Sequence, residues 1–437
     1  MILLLIILLV NSCYAYINNW FPVISLSSTD FSNPQSIRIL GKDFVLWKKN
    51  ELYIIQNNEC PHRCAPLSEG YFDTNTKNLH CSYHGWEFNE NGKCKNIPQL
   101  SERDMLGNIK MTLDKRKHVK TYSTFEYNDL LWVYLGNDTY NHTPNEIYNL
   151  QENQTVYMRE LPYGLHILLE NFFDPAHIPF AHHKLQSTRS KASPIKSKMI
   201  SNNNNYNHLS IEFNEENLAK NISRSGFINF FMPCYYLLTQ SKPTNSVLNK
   251  LHVFTVPIEE DKTRIFITYH LNKSHPSYKI YSILPTWLKH SFTNKFLDSD
   301  TLLLHKQEQY LKLNNESYHD HKNYYLPTLS DKSVSIYKKW IKRALPTIPF
   351  FLNRHHKKEL SRKEIFDRYE QHVKHCKHCS RALKRGRQFK HIGTFILVFC
   401  ASYFRNSFLL TMASFNYFLF NKFEKLFYYN NYIHNEI

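Results

Sequence analysis

The sequence predicts an α+β protein: an all-β N-terminal unit, a mixed unit of strands and helices, and a hydrophobic C-terminal tail. Three observations predict this. Short β-like apolar runs dominate up to about Gly136, strand patterns mix with longer helical ones beyond it, and two apolar blocks close the chain. With 437 residues there is room for two ordinary domains and extra segments. The 42% apolar and 21% charged content excludes a disordered chain. A net charge of +17 stands without any recognised nucleic-acid motif, so no nucleic-acid partner is expected.

Residues 1–15 read as a signal peptide: an apolar run from Ile2 to Val10, then small residues around Cys13 and Ala15. Six N-x-S/T sequons, at Asn137, Asn141, Asn153, Asn221, Asn272 and Asn315, are what an Asn-rich chain yields by chance. Residues 18–150 form the all-β unit, from runs such as "SIRIL", "FVLWKK", "LYIIQ" and "LLWVYL" separated by turn signals. The polar stretch 137–155 reads as a linker. Residues 151–350 form the second unit, with strand-like "LHVFTVPI" and "RIFITYHL" and helical patterns around 164–182 and 290–313. The polar insert 201–209 reads as a surface loop.

Residues 351–391 form a basic segment, with seven Lys or Arg between Lys374 and Lys390. Residues 392–420 hold the apolar blocks "GTFILVFCASYF" and "SFLLTMASFNYFLF", split by Arg405 and Asn406. Each is shorter than the ~20 residues of a standard membrane span. One continuous helix would bury Arg405 at a cost of about 2.5–3.5 kcal/mol. Attachment to a membrane is expected, with a buried helical hairpin as the alternative.

Nine cysteines in so long a chain do not make a disulfide framework. Three of them fall in "CPHRCAPLSEG" (60–70) and "HCSYHGWEF" (80–88), which give Cys60-x-His62 and Cys81-x2-His84. A structural zinc site usually takes paired cysteines followed by a second such pair or by paired histidines. One Cys and one His from each of two loops is instead the division of a Rieske [2Fe–2S] centre. Cys60 and Cys81 would hold one iron, His62 and His84 the other. Tyr83 occupies the position that would pair with Cys64 in respiratory Rieske proteins, so Cys64 and Cys94 are expected to be ordinary buried thiols.

The stretch "ENFFDPAHIPFAHH" (170–183) places Asn171, Asp174, His177 and His182 together. Asp174 and His177 are three apart and would share a helix face. His177 and His182 are five apart with Pro179 between them, so a kink is required to bring the imidazoles together. With a carboxylate they would form the two-His, one-carboxylate site of mononuclear non-haem Fe(II). Within "FLDSDTLLLHKQEQYL" (296–311), read as the opening of an amphipathic helix, Asp300 is the chosen carboxylate. Asp298 is the second choice, and the other aspartate would serve as helix N-cap.

These motifs resemble a Rieske non-haem iron oxygenase, and within that superfamily the group of pheophorbide a oxygenase, chlorophyllide a oxygenase and the plastid translocon-associated Rieske proteins. "LGKDFVLWK" (40–48), "YYLPTLSDKSVSIYKKW" (324–340) and "RYEQHVKHCKHC" (368–379) extend the resemblance. It implies a helix-grip catalytic domain with an antiparallel sheet, a homotrimer, and Asp174 bridging His84 or His62 of a neighbouring subunit to His177. Cys376 and Cys379 resemble a C-x2-C associated with redox control. A reversible disulfide, a surface thiol pair, or a metal site with His372 or His375 are the open readings. No nucleotide fingerprint is present, so electrons are expected from outside, from a ferredoxin drawn to the basic surface.

The resemblance implies an O2-activating enzyme acting on a chlorin or other tetrapyrrole. Alternatives are a non-catalytic redox sensor or import-associated subunit, and an oxygenase of a sterol or aromatic substrate. Location is expected at a membrane in a plastid, reached through the secretory route if the signal peptide holds, or in the endomembrane system.

Overall fold

A computed structural model describes residues 18–101, 115–136, 139–140, 142–148, 150, 156–202, 207–217, 222–241, 247–271, 281–313, 324–344, 359–429 and 432–434. The segment read as a signal peptide and all six sequons lie outside the described residues. The chain divides into two units, one running to Asn153 with Val256–Glu259, the other comprising Gln154–Thr255 and Glu260–Ile437.

The first unit is all β, as its short apolar runs predict. Strand β1 (Trp20–Ser25) pairs antiparallel with β11 (Leu130–Tyr134), which also pairs with β10 (Thr124–Tyr127). A second sheet runs β2 (Gln35–Ile39), β3 (Lys42–Lys49), β4 (Leu52–Asn57) and β9 (Thr121–Tyr122). The third is a small meander of β5 (Tyr71–Phe72), β6 (Leu79–His80), β7 (Glu87–Phe88) and β8 (Cys94–Asn96). Alternation buries Val45, Trp47 and Ile54 from the second sheet, and they pack with Leu67, Leu79 and Phe88 around Cys60 and Cys81. The polar stretch after β11 is not wholly irregular. Thr143 and Glu146 form a capping box on the short helix α1 (Pro144–Ile147).

The second unit is built on a seven-stranded sheet: β12 (Tyr157–Leu161), β18 (Lys262–Leu271), β17 (Val247–Glu259), β16 (Tyr235–Ser241), β15 (Ile222–Phe231), β14 (His208–Asn217) and β13 (Ile195–Asn202). The β12–β18 pair and the run from β13 to β17 are antiparallel. Between β12 and β13 lie α2 (Leu165–Phe172) and the single turn α3 (Ile178–Ala181). After the sheet comes the longest helix, α4 (Thr286–Leu313), then α5 (Lys332–Ala344). Glu170 of α2 accepts from Gln307 of α4 at 2.9 Å and pairs with buried Lys338 of α5 at 2.7 Å. Gln307 also donates to Tyr324 at 2.6 Å, which ties the 324–340 stretch to both helices.

The basic segment folds onto this unit as α6 (Arg362–Ile365), α7 (Arg368–Gln371) and α8 (Lys377–Gln388). The apolar tail follows. Its apolar blocks are two helices, α9 (Thr394–Phe404) and α10 (Ser407–Lys425), and no helix among the described residues is long and apolar enough to cross a membrane. Arg405 adopts a left-handed conformation with φ 48°, and Asn406 caps α10 by accepting from the Phe408 amide at 2.9 Å. The break therefore forms a hairpin with Arg405 exposed at its tip. The hairpin is not buried either, because Phe395, Phe399, Phe404, Phe408, Phe415 and Phe418 all stand exposed along it.

Candidate functional site

The two Cys–His loops of the first unit repeat one backbone design. The Cys60 amide donates to Ala65 O at 2.9 Å and the Cys64 amide to Cys60 O at 2.8 Å. In the second loop the Cys81 amide donates to Trp86 O at 2.9 Å and the Gly85 amide to Cys81 O at 2.8 Å. The fourth residue after each cysteine takes positive φ, 55° at Cys64 and 72° at Gly85. Left-handed backbone at both points closes each loop tightly around its cysteine. Both cysteines end up in the core, whereas His62 is exposed and His84 half-buried. Their imidazole centroids are 4.5 Å apart, and Trp86 stacks on His62 at 4.9 Å. Burial pushes the Cys60 thiol up to about 12. Two buried cysteines with two imidazoles nearer the surface suit a cluster held by sulfur inside and nitrogen outside. Cys64 and Cys94 are not buried thiols as expected: Cys64 is exposed and Cys94 half-buried.

In the second unit, Asp174 and His177 do not share a helix. α2 ends at Phe172, and α3 begins after His177, so the pair sits in the turn between. His177 caps the start of α3 and His182 its end, and this single turn folds the two imidazoles back on each other, Nε2 to Nε2 3.2 Å. His177 Nδ1 donates to the Asp174 carbonyl. Ser299 Oγ donates to Phe296 O at 2.6 Å, so at 2.7 Å it accepts from His182 Nδ1. Both Nδ1 atoms are thus the protonated ones, and two Nε2 lone pairs face each other. Asp300 Oδ2 lies 3.2 Å from His182 Nε2, and all three ligand atoms lie within 4.8 Å of one another. The arrangement repels itself unless a cation sits inside it, and its donor set suits ferrous iron. Burial raises the Asp174 carboxyl above its ordinary value, with His177 opposing. Asn171 is half-buried at the end of α2.

Asp298 and Asp300 lie mid-way along α4 rather than at its start, so neither is an N-cap. Asp298 is fully buried and accepts from Arg159 at 2.7 Å and from Arg368 at 2.6 and 2.9 Å. A cavity of about 590 Å³ opens beside the site, lined by Phe296, Leu238, Leu251, Val253, Lys289 and Lys295 among others. Phe296 stacks on His182 at 3.9 Å.

The C-x2-C pair is buried, not a surface pair, and both thiols are free. His372 Nε2 lies 3.3 Å from Cys379 Sγ. His290 of α4, which the sequence did not single out, lies 3.5 Å from Cys376 and 3.6 Å from Cys379. His375 faces Glu160 and Arg264 instead, and burial lowers it to about 4.

Residues 19–123 match the Rieske [2Fe-2S] domain family and residues 230–317 the pheophorbide a oxygenase family. The chain thus carries a Rieske domain and a pheophorbide a oxygenase domain, the pairing of a Rieske-type oxygenase. This oxygenase is 28% identical to pheophorbide a oxygenase of Oryza sativa subsp. japonica, over 82% of this chain and 72% of that one. It is also 28% identical to flavonoid 8-hydroxylase 2 of Ocimum basilicum, over 85% and 74%. Protochlorophyllide-dependent translocon component 52 of Arabidopsis thaliana is again 28% identical, over 84% and 73%. Dicamba monooxygenase shares the fold, with a TM-score of 0.56 at 16% identity, covering 76% of this chain and 98% of that one.

Proposed function

We propose that this oxygenase takes electrons from a ferredoxin and oxidises a chlorin or related tetrapyrrole. His177, His182 and Asp300 would hold ferrous iron, and Cys60, Cys81, His62 and His84 a [2Fe–2S] cluster. The observation that carries the reading is the convergence of two imidazole Nε2 atoms and a carboxylate at one site. Together the two metal groups supply O2 activation and one-electron delivery; the chain's own residues supply the rest. Ser299 and the Asp174 carbonyl fix each imidazole's tautomer and aim. The apolar walls of the cavity keep water from the reacting edge of a flat ligand. Lys289 and Lys295 offer cationic partners to a carboxylate such as a chlorin's propionate.

Asp174 would bridge to a neighbour's cluster in a head-to-tail trimer of helix-grip catalytic domains, with Asn171 supporting the same turn. The chloroplastic relatives support a plastid location. The exposed apolar hairpin supports attachment to one leaflet of a membrane, with the α8 basic run facing anionic lipid. The equal similarity to a flavonoid hydroxylase favours a flavonoid as the second reading. The test is oxygen uptake with reduced ferredoxin and pheophorbide a, chlorophyllide a, protochlorophyllide or a flavone, against His177→Ala. Uptake requiring a chlorin and His177 supports the proposal. Uptake with the flavone alone, or none from fully metallated protein, refutes it.

A further inference from the structure

We infer that His290, His372, Cys376 and Cys379 hold a structural zinc ion, separate from both iron sites. The four side chains come from two places: His290 from α4, and the other three from the His-x3-Cys-x2-Cys run that leads into α8. All four are buried, and their ligand atoms lie within 4.8 Å of one another.

Distances decide between a single ion and other uses. Zn–S bonds of about 2.3 Å and Zn–N bonds of about 2.05 Å at tetrahedral angles put neighbouring N and S atoms roughly 3.6 Å apart. Three of the four N···S separations are 3.3, 3.5 and 3.6 Å. Four ligand atoms packed to the edges of one tetrahedron suit one ion rather than a cluster of two metals. Two thiolates with two imidazoles in that geometry select zinc.

The surroundings prepare each ligand. His372 Nδ1 donates to Met158 O at 2.5 Å, which leaves its Nε2 lone pair aimed at Cys379. Tyr157 stacks on the His372 ring at 4.7 Å and meets the His290 ring edge-on at 5.2 Å, so both rings are held in place. Cys376 is the N-cap of α8, where the helix amides favour a thiolate. Val373, Leu383 and Phe427 pack with both cysteines in one apolar cluster.

Such an ion ties α4 to the C-terminal segment. Asp300 lies ten residues beyond His290 on the same helix, about 15 Å along its axis. The zinc therefore fixes the element that carries the iron-site carboxylate. It also assigns the two thiols a use that excludes a disulfide while the metal is bound.

The test is metal analysis of the full chain purified without chelator, with zinc K-edge absorption to identify the ligands. One zinc per chain with two sulfur and two nitrogen neighbours is expected. It should be retained in His177→Ala and lost in Cys376→Ser/Cys379→Ser and in His290→Ala. Since those variants can fail to fold, titration of the wild-type protein with a mercurial provides a second readout: zinc should leave in step with the modification of two thiols. A Cys376–Cys379 disulfide in the native protein, zinc without sulfur neighbours, or zinc retained in the cysteine double variant would each overturn the inference.

Discussion

Two aspartates two residues apart on α4 should fail in opposite ways. Two residues along a helix turn by about 200°, so Asp298 and Asp300 point to opposite sides. Asp298 has 0% exposure and accepts three charge-assisted hydrogen bonds from Arg159 and Arg368, themselves buried. Asp298→Asn leaves two guanidinium groups without their counter-charge, a loss of about 3–5 kcal/mol. For a unit of this size, each kcal/mol lowers Tm by about 2–4 °C, which gives a fall of roughly 6–20 °C. Asp300 instead faces His182, 3.2 Å away. Asp300→Asn should leave Tm within a few degrees but remove the mononuclear iron, the Rieske cluster's spectrum unchanged. Thermal unfolding by circular dichroism, run beside iron analysis, separates the two outcomes. If Asp298→Asn unfolds like the wild type yet loses iron, or Asp300→Asn keeps its iron, the assignment is refuted.

Other perturbations follow from the same geometry. Ser299→Ala removes the acceptor that orients His182 and should weaken iron affinity by about 10–100-fold, read from iron retention during dialysis. Burial raises Glu308 to about 7, so the folded state holds a proton that the unfolded state releases above about pH 4.5. Stability should therefore fall by about 3 kcal/mol as pH rises from 4.5 to 7, and Glu308→Gln should abolish that descent in urea melts at stepped pH. Lys289→Ala should raise KM for a carboxylate-bearing chlorin several-fold more than for its methyl ester; equal effects would remove the lysine from recognition. Serine at Phe399 and Phe415 should each cost about 1–2 kcal/mol of lipid binding, visible as loss of flotation with anionic liposomes.

Much of this protein was legible in its sequence because the relevant chemistry is local. The Cys-x-His and Cys-x2-His loops carry their own spacing, and short apolar runs mark the strands that bury Cys60 and Cys81. His177 and His182 were legible for the same reason: Pro179 forces the break that pairs them. What depends on distance along the chain was not legible. In Asp298-Ser299-Asp300 the two carboxylates differ little in their local sequence; the positions of Arg159 and Arg368 make one structural and leave the other facing His182. His290 is one histidine on a 28-residue helix, and nothing nearby in sequence marks it. Only the packing of α4 against the C-terminal segment brings it to Cys376 and Cys379. The tail shows the same division. Its apolar composition was plain, but the left-handed turn at Arg405 decided that it folds back as a hairpin rather than running on as one helix. The sequence by itself determined which candidate ligands exist and which loops present them. The tertiary structure decided which distant side chains meet them, because that depends on contacts between segments whose separation along the chain no local pattern records.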